Sequence, residues 1–335
     1  MRTHLAVAVA ALAAAATLLT ACGSSGTAAQ SSQTSAGDGS SEGSGGTTKV
    51  TVGVMPIVDT APIYLGVQEG IFAEHGLDLD LQTSSQGAAA LVPGVVSGQL
   101  DFGFGNVAAL ITAHSQGLAL PLVASASSST GVDGNDTSGI IVAGASDISG
   151  PADLDGARVA VNTMNSIGDA TVRETVDNAG GDGSSVTFAE IAFPDMLPSI
   201  ESGQVEAAWV VEPFLTIALD QGARLLASNY VATTPDLLIA SYFTSTGLME
   251  SEPEVVERFS AAMEESQAFA QENEDMTRDV LGTYMTIDPA IAEKLVLPRF
   301  NAKVTRSELE FLIDFAERQG LISNPVEVSS LLPKA

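Results

Sequence analysis

Two stretches of the chain share one design, and that repetition restricts the fold more than any other feature. Leu91 to Asn106 reads LVPGVVSGQLDFGFGN, and Met196 to Phe214 reads MLPSIESGQVEAAWVVEPF. Setting Pro93 on Pro198 gives an offset of 105 positions (198 − 93). Val95 then meets Ile200, Ser97 meets Ser202, Gly98 meets Gly203 and Gln99 meets Gln204. Leu100 meets Val205 and Asp101 meets Glu206. Each copy reads as a short apolar helix, a Ser-Gly stop, an acidic residue entering a strand, and a polar residue just past it. Glycine after the last helical residue supplies the positive φ that ends a helix. The DFGF and EAAWV runs suit buried strands. The closing polar residues are Asn106 and, one position out of register, Glu212. A unit of this size used twice predicts two α/β lobes of similar design.

A chain of 335 residues has room for two such lobes. Hydrophobic residues make up 45% and charged residues 16%, enough for a large core. The formal charge of −28, from 13 Lys+Arg against 41 Asp+Glu, argues against nucleic acid as a partner. Phosphate backbones require clustered basic groups. The single cysteine, Cys22, excludes an intrachain disulfide and a cysteine metal cluster. His4, His75 and His114 are scattered, without metal-ligand spacing. No cofactor or metal is expected.

Arg2 precedes the uncharged apolar run Leu5 to Leu19. A membrane-spanning helix needs about 20 residues, so this run is short for one. A basic start, a short apolar stretch and small residues next are the pattern of an export signal. The run ends Leu19-Thr20-Ala21-Cys22-Gly23, which resembles the lipobox of bacterial lipoproteins, in which the cysteine is lipidated. Residues 1–22 are accordingly a signal peptide with lipobox. Residues 23–48 are Gly, Ser, Thr, Ala and Gln with almost no apolar side chain, a disordered tether reaching roughly 25–30 Å.

Beyond the tether, strands and helices alternate, which implies a mainly parallel sheet. Strands are expected at Lys49 to Met55, Leu77 to Leu81, Asp101 to Phe104 and Leu120 to Ala124. Helices are expected at Ile63 to Glu74, through Pro93, and from Asn106 to His114. Ser125 to Ser138 reads as a mobile surface loop. The second lobe repeats the logic, with strands at Gly139 to Ala143, Ala157 to Val161 and Val186 to Ile191. Leu237 to Thr244 is the return crossing, followed by helices to the end. Tyr242, near that crossing, suits core packing better than the cleft.

In parallel sheets, ligands bind outside the carboxyl ends of the strands. Asp59-Thr60-Ala61, Ser84 to Gly87 and Gly105-Asn106 fall there in the first half. Asn162 to Ser166 falls there in the second. Helix N-termini at these loops attract anions and polar oxygens. Simple helix capping accounts for each loop equally well, and Glu212 could merely favour the positive end of a helix.

With VGVMPIVDTAPIYLGVQEGIFAEHGLDLDL, SGQLDFGFGN, DLDGARVAVN and SGQVEAAWVVEPF in view, the chain resembles the solute-binding proteins of the nitrate/sulfonate/taurine and thiamine-precursor importer group. The resemblance covers about Val50 to Gln221, while the helical tail matches only in kind. It implies an α/β, two-lobe type II periplasmic-binding-protein fold with parallel-rich sheets flanked by helices and two hinge crossings. Lobe 1 would comprise 49–138 and 239–335, and lobe 2 would comprise 139–238. It further implies a small-molecule ligand in the cleft and an ABC permease as partner; the lipobox and tether add the expectation of a monomer lipid-anchored on the extracytoplasmic face. Carried over by position, the binding residues would be Asp59, Thr60, Ala61, Gly87, Asn106, Asn165, Ser166, Asp195 and Glu212. Trp209 and Phe193 would be stacking surfaces.

No Lys or Arg falls in these loops, so a purely electrostatic site for an inorganic anion is disfavoured. The expected solute is a small polar organic molecule, amino-sulfonate-like or pyrimidine-like. Two other classes compete. A fungal branch of the superfamily makes a pyrimidine with histidine and a cysteine-rich iron motif, which this chain lacks. A sensor feeding a membrane receptor would look the same in sequence.

Overall fold

Alternating buried side chains make the first strand: Val50, Val52 and Val54 all face the core. The computed structural model describes residues 47–84, 88–301 and 303–333. In chain order the strands are β1 (Thr48–Val54), β2 (Leu77–Thr83), β3 (Phe102–Asn106), β4 (Leu122–Ser128) and β5 (Ser138–Val142). They continue as β6 (Arg158–Val161), β7 (Thr187–Glu190), β8 (Ala207–Val211), β9 (Arg224–Ala227) and β10 (Leu238–Thr244). They form two five-stranded sheets, ordered β2-β1-β3-β10-β4 and β7-β6-β8-β5-β9.

In each sheet one strand runs against the others. β10 lies antiparallel between β3 and β4, and β5 lies antiparallel between β8 and β9. Each of these follows a segment arriving from the other sheet, so each lobe is completed by a strand delivered across the gap. The remaining neighbours, β1 with β2 and β3, and β6 with β7 and β8, pair parallel. The outcome is the expected α/β, parallel-rich pair of sheets flanked by helices.

The repeat holds in the secondary structure. The helix Ala88–Val96 and β3 recur as the helix Phe193–Glu201 and β8, each bound displaced by 105 positions (193 − 88, 211 − 106). Gly98 (φ +73°) and Gly203 (φ +72°) both take the left-handed conformation that turns the chain out of the helix. The acidic residue after them has a backbone task. Asp101 Oδ2 accepts from Thr51 N at 2.7 Å, and Glu206 Oε2 accepts from Arg158 N at 2.8 Å. Asp101 N and Glu206 N in turn donate to the carbonyls of Thr51 and Arg158, each at 2.9 Å. The carboxylate therefore pins the incoming strand to its parallel neighbour.

Three expectations need correction. Ser125 to Ser138 is not a surface loop throughout: Ser125 to Ser128 continue β4, and Ser125, Ser127, Ser128, Ser129, Asp136 and Thr137 are buried. β10 and the helix Pro253–Glu272 pack on the β4 part of this run, a tertiary effect that local composition does not encode. The helix expected at Ile63 to Glu74 breaks into Ala61–Gln68 and Ile71–Glu74, because Gly70 adopts φ +82°. β9 and the short helix Asn229–Thr233 were not anticipated.

The segments 129–137 and 228–237 join the two sheets and run side by side. Ser129 N donates to Leu237 O at 2.9 Å, and Gly134 N to Ser228 Oγ at 2.8 Å. Arg299 ties both, donating from Nε to Ser129 O and from Nη2 to Asp236 Oδ1, each at 2.7 Å. The tail helices Pro253–Glu272 and Arg306–Arg318 pack on the first lobe. There Phe259 stacks on Phe102 with ring centroids 3.8 Å apart. Tyr242 packs in this core against Phe104 and Phe259. Among the described residues, no helix is long and apolar enough to cross a membrane. The signal, Cys22 and nearly all of the tether lie outside the described residues.

Candidate functional site

A hollow lies where the strand ends of the two sheets face each other. Met55, Ile57 and Asp59 follow β1, Phe104 and Asn106 lie on β3, and Ile239 and Ala240 open β10. The second lobe contributes Asn162 and Ile167 around the end of β6, Trp209 and Val211 from β8, and Phe193 and Tyr230. The hollow encloses about 40 Å³, against the ~300–1,000 Å³ usual for pockets holding drug-sized ligands. In this arrangement the space is too small for a solute of that size.

The lobes touch through their own capping residues. Asn106 caps the helix Val107–Ser115, its Oδ1 accepting from Ala109 N at 2.8 Å. Its Nδ2 donates across the gap to Ser166 Oγ at 3.0 Å. Ser166 in turn begins the helix Ile167–Asn178, and its N–H donates to Asp169 Oδ1 at 2.7 Å. Two helix starts, one per lobe, thus meet at the rim of the hollow.

Asp59 is buried, and Ser127 Oγ donates to its Oδ1 at 2.5 Å. Burial pushes its carboxyl above the ordinary 3.8, opposed by the Ser127 bond. Thr60 is buried, and its hydroxyl donates back to the carbonyls of Met55 (2.7 Å) and Ile57 (2.9 Å). It shapes the loop rather than presenting a free group. Ala61 is buried at the first position of its helix.

Glu212 is buried beside Val211 but is turned to other partners. Its carboxylate accepts from Thr216 Oγ1 at 2.7 Å, Thr216 N at 3.1 Å and Val296 N at 3.2 Å. It therefore holds a helix start in one lobe to the tail segment of the other. Burial raises its carboxyl above the ordinary 4.5, and the nearby Asp59 charge adds to the shift.

Asn165 (φ +55°) and Asp195 are exposed and do not line the hollow. Gly87 lies outside the described residues.

Trp209 and Phe193 form an aromatic wall. Their ring centroids are 5.5 Å apart, Phe193 stacks on Phe214 at 5.5 Å, and Tyr230 meets Trp209 edge-on at 6.3 Å. The described lining holds one carboxylate and two amides among aromatic and aliphatic surfaces, without a Lys, Arg or His. Such a set accepts hydrogen bonds and stacks on flat rings. Sequence reasoning placed Asn162 in a strand-end loop without counting it among the binding residues, and passed over Met55, Ile57, Phe104, Ile167, Val211, Tyr230, Ile239 and Ala240. Asn162 had a usable signal, since it follows β6 where a strand-end loop was expected. Tyr230 had none, because its short helix carries no periodic pattern.

The profile of a family described as NMT1/THI5 like matches residues 57–276. A Brucella abortus protein carrying the name of a binding protein is 23% identical over 228 residues, 68% of each chain. The ligand-binding component of an ABC-type import system from Staphylococcus aureus superposes with a TM-score of 0.73 at 12% identity, covering 85% of this chain and 96% of that one. The alkanesulfonate-binding protein SsuA of Xanthomonas axonopodis pv. citri superposes with a TM-score of 0.72 at 16% identity, covering 87% and 99%. The fold is that of the periplasmic binding proteins.

Proposed function

This chain belongs to the NMT1/THI5 like family, and from that premise we propose that it is an extracytoplasmic solute-binding protein. In this proposal lipidated Cys22 holds it to the membrane, and it delivers a small polar organic solute to an ABC permease. The two lobes, 49–138 with 239–335 and 139–238, part and close as a monomer around the solute. Residues 23–48 serve as the leash.

The observation that carries the proposal is the hollow between the two sheets, with capping residues of both lobes meeting at its rim. Its neighbours in fold include a ligand-binding import component and an alkanesulfonate-binding protein. The described lining differs from what a free inorganic anion requires, because it offers a carboxylate and aromatic rings without a cation. A pyrimidine-like solute bearing N–H or O–H groups suits it better than an aminosulfonate. Asp59 and Asn106 would take its polar edge, and Trp209 and Phe193 its faces. Asn162 joins them as a residue of the same rim.

Calorimetry on the purified full chain with 4-aminopyrimidine, taurine, methanesulfonate, nitrate and bicarbonate tests this. Binding of 4-aminopyrimidine or taurine supports the proposal. Binding of nitrate or bicarbonate alone defeats it. Radioactive palmitate should label the wild type and spare Cys22→Ala.

A further inference from the structure

Trp209 is the only tryptophan of the chain, and an open circuit of buried hydrogen bonds begins on it. Its indole Nε1–H donates to Ser138 Oγ at 2.7 Å. Ser138 Oγ donates to Asn229 Oδ1 at 2.9 Å. Asn229 Nδ2 donates to Thr171 Oγ1 at 2.7 Å, and Thr171 Oγ1 donates to the carbonyl of Ile167 at 2.7 Å. All of these donors point one way around the circuit, and the participating side chains are buried. It starts and ends on residues that line the hollow, Trp209 and Ile167.

The circuit also touches both segments that join the sheets. Ser138 is the first residue of β5, directly after the segment 129–137. Asn229 follows Ser228, whose Oγ accepts from Gly134 N of that same segment. From the other side Gly168 fixes the indole. A Cβ there would lie 2.4 Å from Trp209 Cε3 and 2.7 Å from Cζ3. The ring therefore rests directly on the first turn of its helix, with its one polar atom held by Ser138.

We infer that Ser138 and Asn229 are positioning residues that hold the Trp209 indole as a fixed wall of the solute site and tie that wall to both inter-lobe segments. Core packing alone would place the ring but leave its N–H orientation to whatever partner was near. A directional chain that gives the indole N–H a fixed, buried acceptor favours one orientation and resists rotation. The part that concerns solute affinity rests on the function proposed above. The part that concerns the indole does not.

The test uses nuclear magnetic resonance on the full chain, where the indole N–H gives one resonance. In the wild type this proton should exchange with solvent slowly, on the scale of the backbone amides of Ile140 and Val210. In Asn229→Ala and Ser138→Ala it should exchange at least about tenfold faster while those amides change less. Ser138→Thr, which keeps the hydroxyl, should restore the slow rate. Affinity for 4-aminopyrimidine should fall about tenfold in both alanine variants. Acceleration no greater than that of the Ile140 and Val210 amides overturns the inference. So does fast indole exchange in the wild type, a result that stands even if the variants fail to fold. A wild type that binds no 4-aminopyrimidine counts against the proposed solute class, and the exchange rates still decide the role of Ser138 and Asn229.

Discussion

Asn106 Nδ2 donates to Ser166 Oγ at 3.0 Å, joining the first helix turn of one lobe to that of the other. Other side-chain contacts also bridge the lobes, among them Val296 with Glu212, Lys294 with Asp220, Arg318 and Gln319 with Glu174, and Arg299 with Asp236. The Asn106 contact is the one at the rim of the hollow. Ser166→Ala removes it and leaves the backbone bond from Ser166 N to Asp169 in place. A hydrogen bond of about 1 kcal/mol shifts a closed-to-open ratio roughly fivefold. Small-angle scattering should therefore show a larger radius of gyration in Ser166→Ala, with a melting temperature close to that of the wild type. An unchanged radius would mean the other bridges suffice to keep the lobes closed.

Asp101 and Glu206 perform one task at two places, each accepting from the N–H of the adjacent strand. Their surroundings differ: Asp101 is half-buried, while Glu206 is exposed. Removing a carboxylate acceptor from a partly buried N–H costs about 1.5–3 kcal/mol, and less where water replaces it. Asp101→Ala should therefore lower the midpoint of urea unfolding clearly, and Glu206→Ala should lower it less. Equal losses would show that solvent access does not separate the two copies.

The repeat was legible because its parts are local: a helix stop at a positive-φ glycine, an acidic residue with a backbone partner, and a buried strand. Gly98 and Gly203 announce themselves in any chain. The burial of Ser125, Ser127 and Ser128 was not legible, because serines turn inward only when β10 and a helix from the far end of the chain cover them. The same holds for the candidate site. Asp59 and Asn106 sit at strand ends, where the order of elements alone directs attention. Glu212 sits beside such an end, yet its carboxylate is taken by Thr216 and by Val296 of the tail. No pattern around residue 212 foretells a partner 84 positions away.

Gly168 tests how tightly the aromatic wall is set. In a helix, alanine is favoured over glycine by up to about 1 kcal/mol. Here the added methyl would sit 2.4 Å from the indole ring, and overpacking of that kind typically costs about 1–3 kcal/mol. The clash should win. Gly168→Ala should be less stable in urea, and the emission of Trp209 should shift as the ring is pushed from its seat. A stabilised variant with unchanged emission would show that the ring has slack.

Asp59 gives the fold a dependence on pH with a definite sign. Burial raises its folded-state carboxyl above the ordinary 3.8, so the folded protein holds this proton more tightly than the unfolded chain. Below the ordinary value both states are protonated, and the contribution to stability is fully present. As pH rises past it, the unfolded chain releases the proton first, and stability falls until the folded carboxyl has ionised as well. Above that point the loss levels off. Glu212, raised for the same reason, adds a slope of the same sign. Mutual repulsion among the 41 acidic residues also lowers stability as pH rises, so the wild-type curve alone cannot isolate Asp59. Asp59→Asn can, because it removes one titration and keeps the acceptor for Ser127. Melting temperatures from pH 4 upward should fall less steeply in Asp59→Asn than in the wild type, with the gap between them widening as pH rises. Parallel curves would mean that the Asp59 carboxyl titrates alike in the folded and unfolded chain.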